Sequence, residues 1–67
     1  MKRIEMDFNA VRADGRFKVW EGAASEPLVV GDKVVCFDSS EESLEFPGVV
    51  DEVNSEGFYL VTVNWGY

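Results

Sequence analysis

The chain has 67 residues, 46% of them hydrophobic, a formal net charge of −7 at pH 7, one cysteine and no histidine. A chain this short makes one domain, residues 1–67, and buries only about 60% of its unfolded surface. A lone Cys36 without histidine excludes a disulfide framework and a structural zinc cage, so burial of apolar side chains, nine of them aromatic, must hold the fold.

No run approaches the roughly 20 apolar residues of a bilayer span. The opening MKRIEMDFNA alternates polar and apolar and lacks the apolar centre of a secretory leader. With one unpaired cysteine, this predicts a reducing, cytoplasmic setting. Charge is unevenly placed. Lys2, Arg3, Arg12, Arg16, Lys18 and Lys33 are balanced by six acids within residues 1–33, whereas residues 34–67 hold seven acids and no base. Such a surface repels phosphate backbones and attracts basic partners. It also keeps a small domain soluble, whatever its partners.

Residues 3–11 alternate with period two: Ile4, Met6, Phe8 and Ala10 share one face, and Arg3, Glu5, Asp7 and Asn9 the other. This is the pattern of a half-buried strand. Asp14-Gly15 follows, a type I′ hairpin signal, because both central residues of that turn need positive φ. That turn sets Ala10 opposite Val19 and Arg12 opposite Phe17. Phe17 and Val19 then join the apolar face, and Trp20 falls on the other.

Residues 21–27 contain Gly22, Ser25 and Pro27 and read as a loop. Leu28-Val29-Val30 leads to a turn at Gly31-Asp32, and Lys33-Val34-Val35-Cys36-Phe37 reads as a strand apolar on both faces. Residues 38–45 form a polar loop with Asp38, Glu41, Glu42 and Glu45, anchored by Leu44. Its tail, residues 40–46, is the one helix candidate, a single 3₁₀ turn. Phe46-Pro47-Gly48 opens a fourth strand, with Pro47 at a strand start or edge.

Val49, Val50, Val53, Val61, Thr62 and Val63 are β-branched, and Phe58, Tyr59 and Trp65 are aromatic. Both classes suit a pleated, half-buried surface. Asn54-Ser55-Glu56-Gly57 supplies the turn between two strands. In the second, Tyr59, Val61, Val63 and Trp65 form the core row, and Phe58, Leu60, Thr62 and Asn64 face away. Five strands with frequent turns predict an all-β barrel or sandwich, and closure as a barrel removes exposed edges.

Val30-Gly31-Asp32-Lys33-Val34-Val35, Pro47-Gly48-Val49-Val50-Asp51-Glu52-Val53 and Leu60-Val61-Thr62-Val63-Asn64-Trp65 together resemble SH3-like barrels of the KOW and Tudor type. The resemblance spans residues 28–65 and implies a single five-stranded SH3-like barrel. KOW domains meet RNA and the ribosomal or transcription machinery through basic loops, whereas the matching loops here, 38–45 and 54–57, hold no base. Tudor domains read methylated Lys or Arg through an aromatic cage with an acidic neighbour. The resemblance makes Phe37, Phe46, Tyr59, Trp65 and Tyr67 the cage candidates, with Asp38 or Glu45 beside them, although most of these positions lie on faces assigned to the core.

Catalysis has little to build on. Cys36 has no histidine partner, and apolar or acidic neighbours raise a thiol pKa, so a buried structural cysteine is expected. Glu41-Glu42 and Asp51-Glu52 point to opposite strand faces and do not converge on one bond. The acid spacing of residues 38–45 matches no calcium loop. The reading is therefore a non-enzymatic interaction module, without cofactor or metal, that presents acids to a basic protein or peptide. Its candidate contact residues are Trp20, Asp38, Glu41, Glu42, Glu45, Asp51, Glu52, Glu56 and Tyr67. The rival reading is nucleic-acid-linked: a KOW-type accessory of translation or transcription, or an acidic mimic of DNA. Direct nucleic-acid binding and membrane insertion are not expected.

Overall fold

The computed structural model describes residues 2–66, and of residues 41–43 the backbone alone. The strands are β1 (Lys2–Glu5), β2 (Phe17–Trp20), β3 (Lys33–Asp38), β4 (Glu41–Asn54) and β5 (Phe58–Val63), with a 3₁₀ turn at Glu21–Ala23. They form one mixed sheet in the order β1-β3-β4-β5-β2, curled into a half-barrel. Among the described residues no helix is long and apolar enough to cross a membrane.

The meander β3-β4-β5 is the centre of the sheet. β4 runs 14 residues and pairs antiparallel with both neighbours. The β4–β5 turn forms as its residues dictate: Gly57 takes φ 97° and donates to the Asn54 carbonyl at 3.0 Å, and Asn54 Oδ1 accepts the Glu56 N–H at 2.8 Å. A register shift between Val50 and Glu52 inserts Asp51 as an extra residue, the signature of a bulge, which bends the strand and helps the sheet curl.

The concave face is the core. Ile4, Phe17, Val34, Cys36, Val50 and Val61 are its most enclosed side chains. Burying each large aliphatic or aromatic group contributes about 1.5–3 kcal/mol before entropy. Tyr59, Val61 and Val63 are buried as their parity predicts, and Trp65 packs partly against them. Phe8, Phe46 and Trp65 close one end edge-to-face, with centroids 5.0–5.7 Å apart.

Several expectations are corrected. The barrel is not closed. β1 and β2 are the two edges, and β1 pairs parallel with β3 while β2 pairs antiparallel with β5. β1's outer side is taken by a short return of the chain, an Ile4–Ala24 bridge with Ser25 N–H donating to the Arg3 carbonyl at 2.8 Å. The first strand stops at Glu5 instead of running through residues 3–11. Asp7 ends it by accepting the Asn9 N–H on its side chain and the Ala10 N–H on its carbonyl, both at 2.9 Å.

The expected N-terminal hairpin survives only as its turn. Gly15 (φ 82°) is the sole positive-φ residue there, so the turn is not type I′. Gly15 N–H donates to the Arg12 carbonyl and Arg12 N–H to the Arg16 carbonyl, after which the two arms part. Phe17 and Val19 lie opposite Val61 and Tyr59, not Arg12 and Ala10. Ile4, Met6, Phe17 and Val19 are buried and Trp20 is outside, as their parity predicts, whereas Phe8 is half-buried and Ala10 is exposed, because the strand ends before them.

Of residues 38–45 only Ser39-Ser40 is a turn and the rest is strand, not a long loop or a helix: the turn joins β3 to β4, and Asp38 pairs with Glu41. Leu44 does not anchor in the core, being 39% exposed. Pro47 lies inside β4 rather than at its start. Its carbonyl accepts the Asn64 N–H at 2.8 Å, just past the last β4–β5 pair, Gly48–Val63. Its missing N–H therefore falls where that ladder stops.

Candidate interaction surface

The convex face carries the residues that the core does not use. Cross-strand pairing orders them in rows: Asn54, Phe58 and Trp20 in one, and Glu52, Leu60 and Lys18 in the next. Trp20 is 59% exposed and meets Phe58 edge-on, with centroids 5.7 Å apart. Lys18 Nζ lies 4.4 Å from the Phe58 centroid and 4.9 Å from that of Trp20, within cation–π range of both. Beneath it Leu60 is only 4% exposed, the sheltered floor of the patch.

Acids rim this patch. Asp51, Glu52 and Glu56 are exposed and have no salt bridge among the described residues. Asp51 accepts a hydrogen bond from Thr62 Oγ1, and Glu52 one from Asn54 Nδ2 at 3.4 Å. Arg16 is bound by Asp14 at 2.8 Å, and its pKa is held above the usual guanidinium value chiefly by that bond, with smaller help from Asp51 and Glu52. The paired acids sit mainly in the first half, as in Lys2–Asp32 at 2.8 Å.

Glu45 is engaged elsewhere. It takes Arg3 at 2.7 Å, which holds its carboxyl below the ordinary value, and the same guanidinium lies 4.8 Å from the Phe37 centroid. Phe37 and Glu45 thus hold a cation, but one from their own chain. Phe46 and Trp65 pack with Phe8, and Tyr59 is buried, so these aromatics make no common cage. Tyr67 and the side chains of Glu41 and Glu42 lie outside the described residues.

Asp38 belongs to the interior rather than to a contact surface. It is 6% exposed, with Oδ1 accepting from Ser40 N and Oγ, and Oδ2 accepting from Phe8 N at 3.1 Å. These bonds hold its carboxyl below the usual range. Cys36 is fully buried, and burial pushes its thiol up to about 11. A thiol so protonated is a poor nucleophile at neutral pH. Among the described residues no three potential metal ligands gather.

The described residues also outline concavities. One, of about 390 Å³, is lined by Glu21, Gly22, Ala24, Glu26, Pro27 and Tyr59 at the end of β2. Parity in β2 does not reveal it, because its walls come from the irregular stretch after Trp20. Another, of about 330 Å³, lies on the convex face around Lys33, Val49 and Thr62. Comparison with models of protein families, with curated proteins and with solved structures finds no match in any of the three.

Proposed function

We propose that this chain is a small cytoplasmic interaction module, an SH3-like barrel without chemistry of its own, that binds a basic protein or peptide. The supporting observation is Trp20, largely exposed against Phe58 and already holding one ammonium group, Lys18. An exposed tryptophan beside a second ring is a typical interface anchor, and its faces attract cations. The acids Asp51, Glu52 and Glu56 add a field that speeds encounter with a basic partner and selects against acidic ones. The strand pattern of residues 28–65 and the curled five-stranded sheet support the SH3-like assignment.

The test is titration with lysine- and arginine-rich peptides at low and high salt, followed by amide shifts. Expected are salt-weakened binding and shifts centred on Trp20, Phe58 and Glu52. Trp20→Ala should weaken binding by about 2 kcal/mol, the scale of an interface hot spot. Binding indifferent to salt and to Trp20→Ala would sink the proposal.

A further inference from the structure

The ladder between β2 and β5 has a phase that can be read from its ends. Glu21 N–H donates to the Gly57 carbonyl at 3.0 Å, one step beyond the Trp20–Phe58 pair. In an antiparallel pair such bonds fall on alternate residues. Phe17, Val19 and Glu21 therefore direct their backbone groups toward β5, and Arg16 and Lys18 direct theirs, and Trp20 its N–H, to the sheet's open side. The Arg16 carbonyl confirms the phase by accepting the Arg12 N–H on that side at 2.8 Å. Beyond it the chain's own N-terminal arm departs. The N–H and C=O groups of Lys18 and the N–H of Trp20 therefore point to the open side, whereas the Trp20 carbonyl opens the 3₁₀ turn at Glu21–Ala23.

β1's outer side is covered by the Ala24 bridge, so β2 is the edge left open. It has no proline and no bulge. An open, regular edge is a template for another strand, and its Lys18 guards against indiscriminate pairing. Beyond Trp20 lies the concavity lined by Glu21, Glu26, Ala24 and Pro27, with the Glu21 carboxyl group on its Gly57 side. The nearest base to Glu26, Lys2, stands at 4.0 Å and is bonded to Asp32 at 2.8 Å. The carboxylates are thus open to a further cation.

We infer that the partner docks as an extended segment added to the β2 edge, with one basic side chain seated between Glu21 and Glu26. This rests on the interaction-module reading and specifies its geometry. Main-chain bonds to Lys18 and Trp20 supply a register, and alternate side chains supply specificity. The partner residue beside Lys18 is neutral or acidic, and the basic one lies at the concavity.

The test uses short peptides of alternating valine and threonine carrying a single arginine. One control has glutamate in place of the arginine, and another has backbone N-methyl groups along one edge. Expected is slowed hydrogen exchange at the Lys18 and Trp20 amides. Arginine should be preferred to glutamate by about tenfold, which is about 1.4 kcal/mol. N-methylation should abolish binding. Glu21→Gln with Glu26→Gln should remove the arginine preference yet retain amide protection. Lys18→Pro deletes an outward N–H together with the ammonium over Phe58 and Trp20, so it is compared with Lys18→Ala, which deletes the ammonium alone; the proline variant should bind more weakly than the alanine variant without unfolding the domain.

Binding of the arginine peptide without protection of those two amides would overturn edge docking while leaving the module reading intact. Equal binding of the glutamate peptide, or no binding of any peptide, would overturn it as well. Protection of the edge amides in the free protein at high concentration would assign the edge to a second copy of the chain, again against the proposal.

Discussion

Gly48→Ala isolates the closest approach in the core. Gly48 lies in β4 opposite Val34 and Val63, on the concave face. A Cβ there would stand 2.6 Å from Cys36 Sγ, 3.0 Å from the Thr62 carbonyl oxygen and 3.4 Å from Val61 Cγ1. Favourable non-bonded contacts need about 3.5–4.0 Å, so the sulfur or the strand must retreat by about 1 Å. Cys36 is fully buried and Thr62 O is backbone, so neither moves freely. Overpacking of this kind costs about 1–3 kcal/mol. Restricting the unfolded chain by replacing glycine offsets about 0.4–1 kcal/mol. The net destabilisation is about 1–2 kcal/mol, or about 5–15 °C in Tm for a domain of this size.

The assay is thermal and urea unfolding of Gly48→Ala, Cys36→Ala and the double variant. Cys36→Ala alone should cost about 1 kcal/mol, as for removal of one buried heavy atom. The double variant should be more stable than the sum of the singles by about 1 kcal/mol, because the sulfur that obstructs the new methyl is gone. Rescue should be incomplete, since the Thr62 carbonyl remains. An unchanged Tm for Gly48→Ala, or strict additivity in the cycle, would refute the close approach.

Val61→Asp should abolish the folded state, because it places a charge at one of the most enclosed points of a domain with only about 5–15 kcal/mol to lose; collapse of amide dispersion is the readout. Asp38→Asn should lower the denaturation midpoint at neutral pH. Asp38's folded pKa is depressed, so its contribution is present above the ordinary carboxylate value and lost as pH falls through the folded one. Urea midpoints of the wild type should therefore drop in acid more than those of Asp38→Asn, and parallel pH profiles would count against the role given to Asp38. Cys36 should resist alkylation in the native state at neutral pH and react once urea unfolds the chain; a native-state mass shift would contradict its burial.

What the sequence disclosed was direction more than connection. Period two placed Ile4, Met6, Phe17, Val61 and Val63 inward, because which face a strand buries is a local property of alternation. Strand partnership is not local. Asp14-Gly15 made a turn, yet Phe17 and Val19 find larger buried neighbours in Val61 and Tyr59 than the polar arm behind them offers. Leu44 illustrates the opposite limit. A lone apolar residue among acids suggests an anchor, but a tight Ser39-Ser40 reversal leaves it on the surface. On the candidate surface, the exposure of Trp20 followed from parity, whereas its ring-on-ring pairing with Phe58 required the β2–β5 register. The interior role of Asp38 depends on the Phe8 N–H, which no local pattern brings to it.

The pairing of β2 with β5 also sets a timetable for folding. The β3-β4-β5 meander closes short loops and can assemble early, but Phe17 must wait for Val61 and Lys2 for Val34. Such distant pairings slow folding, because loop-closure entropy is lost before contacts repay it. During synthesis the first strands made stay without partners until later ones emerge, at roughly 5–20 residues per second. The apolar faces of β1 and β2 are then bare for seconds. Their shortness and their interleaved Lys2, Arg3 and Lys18 limit aggregation during that interval.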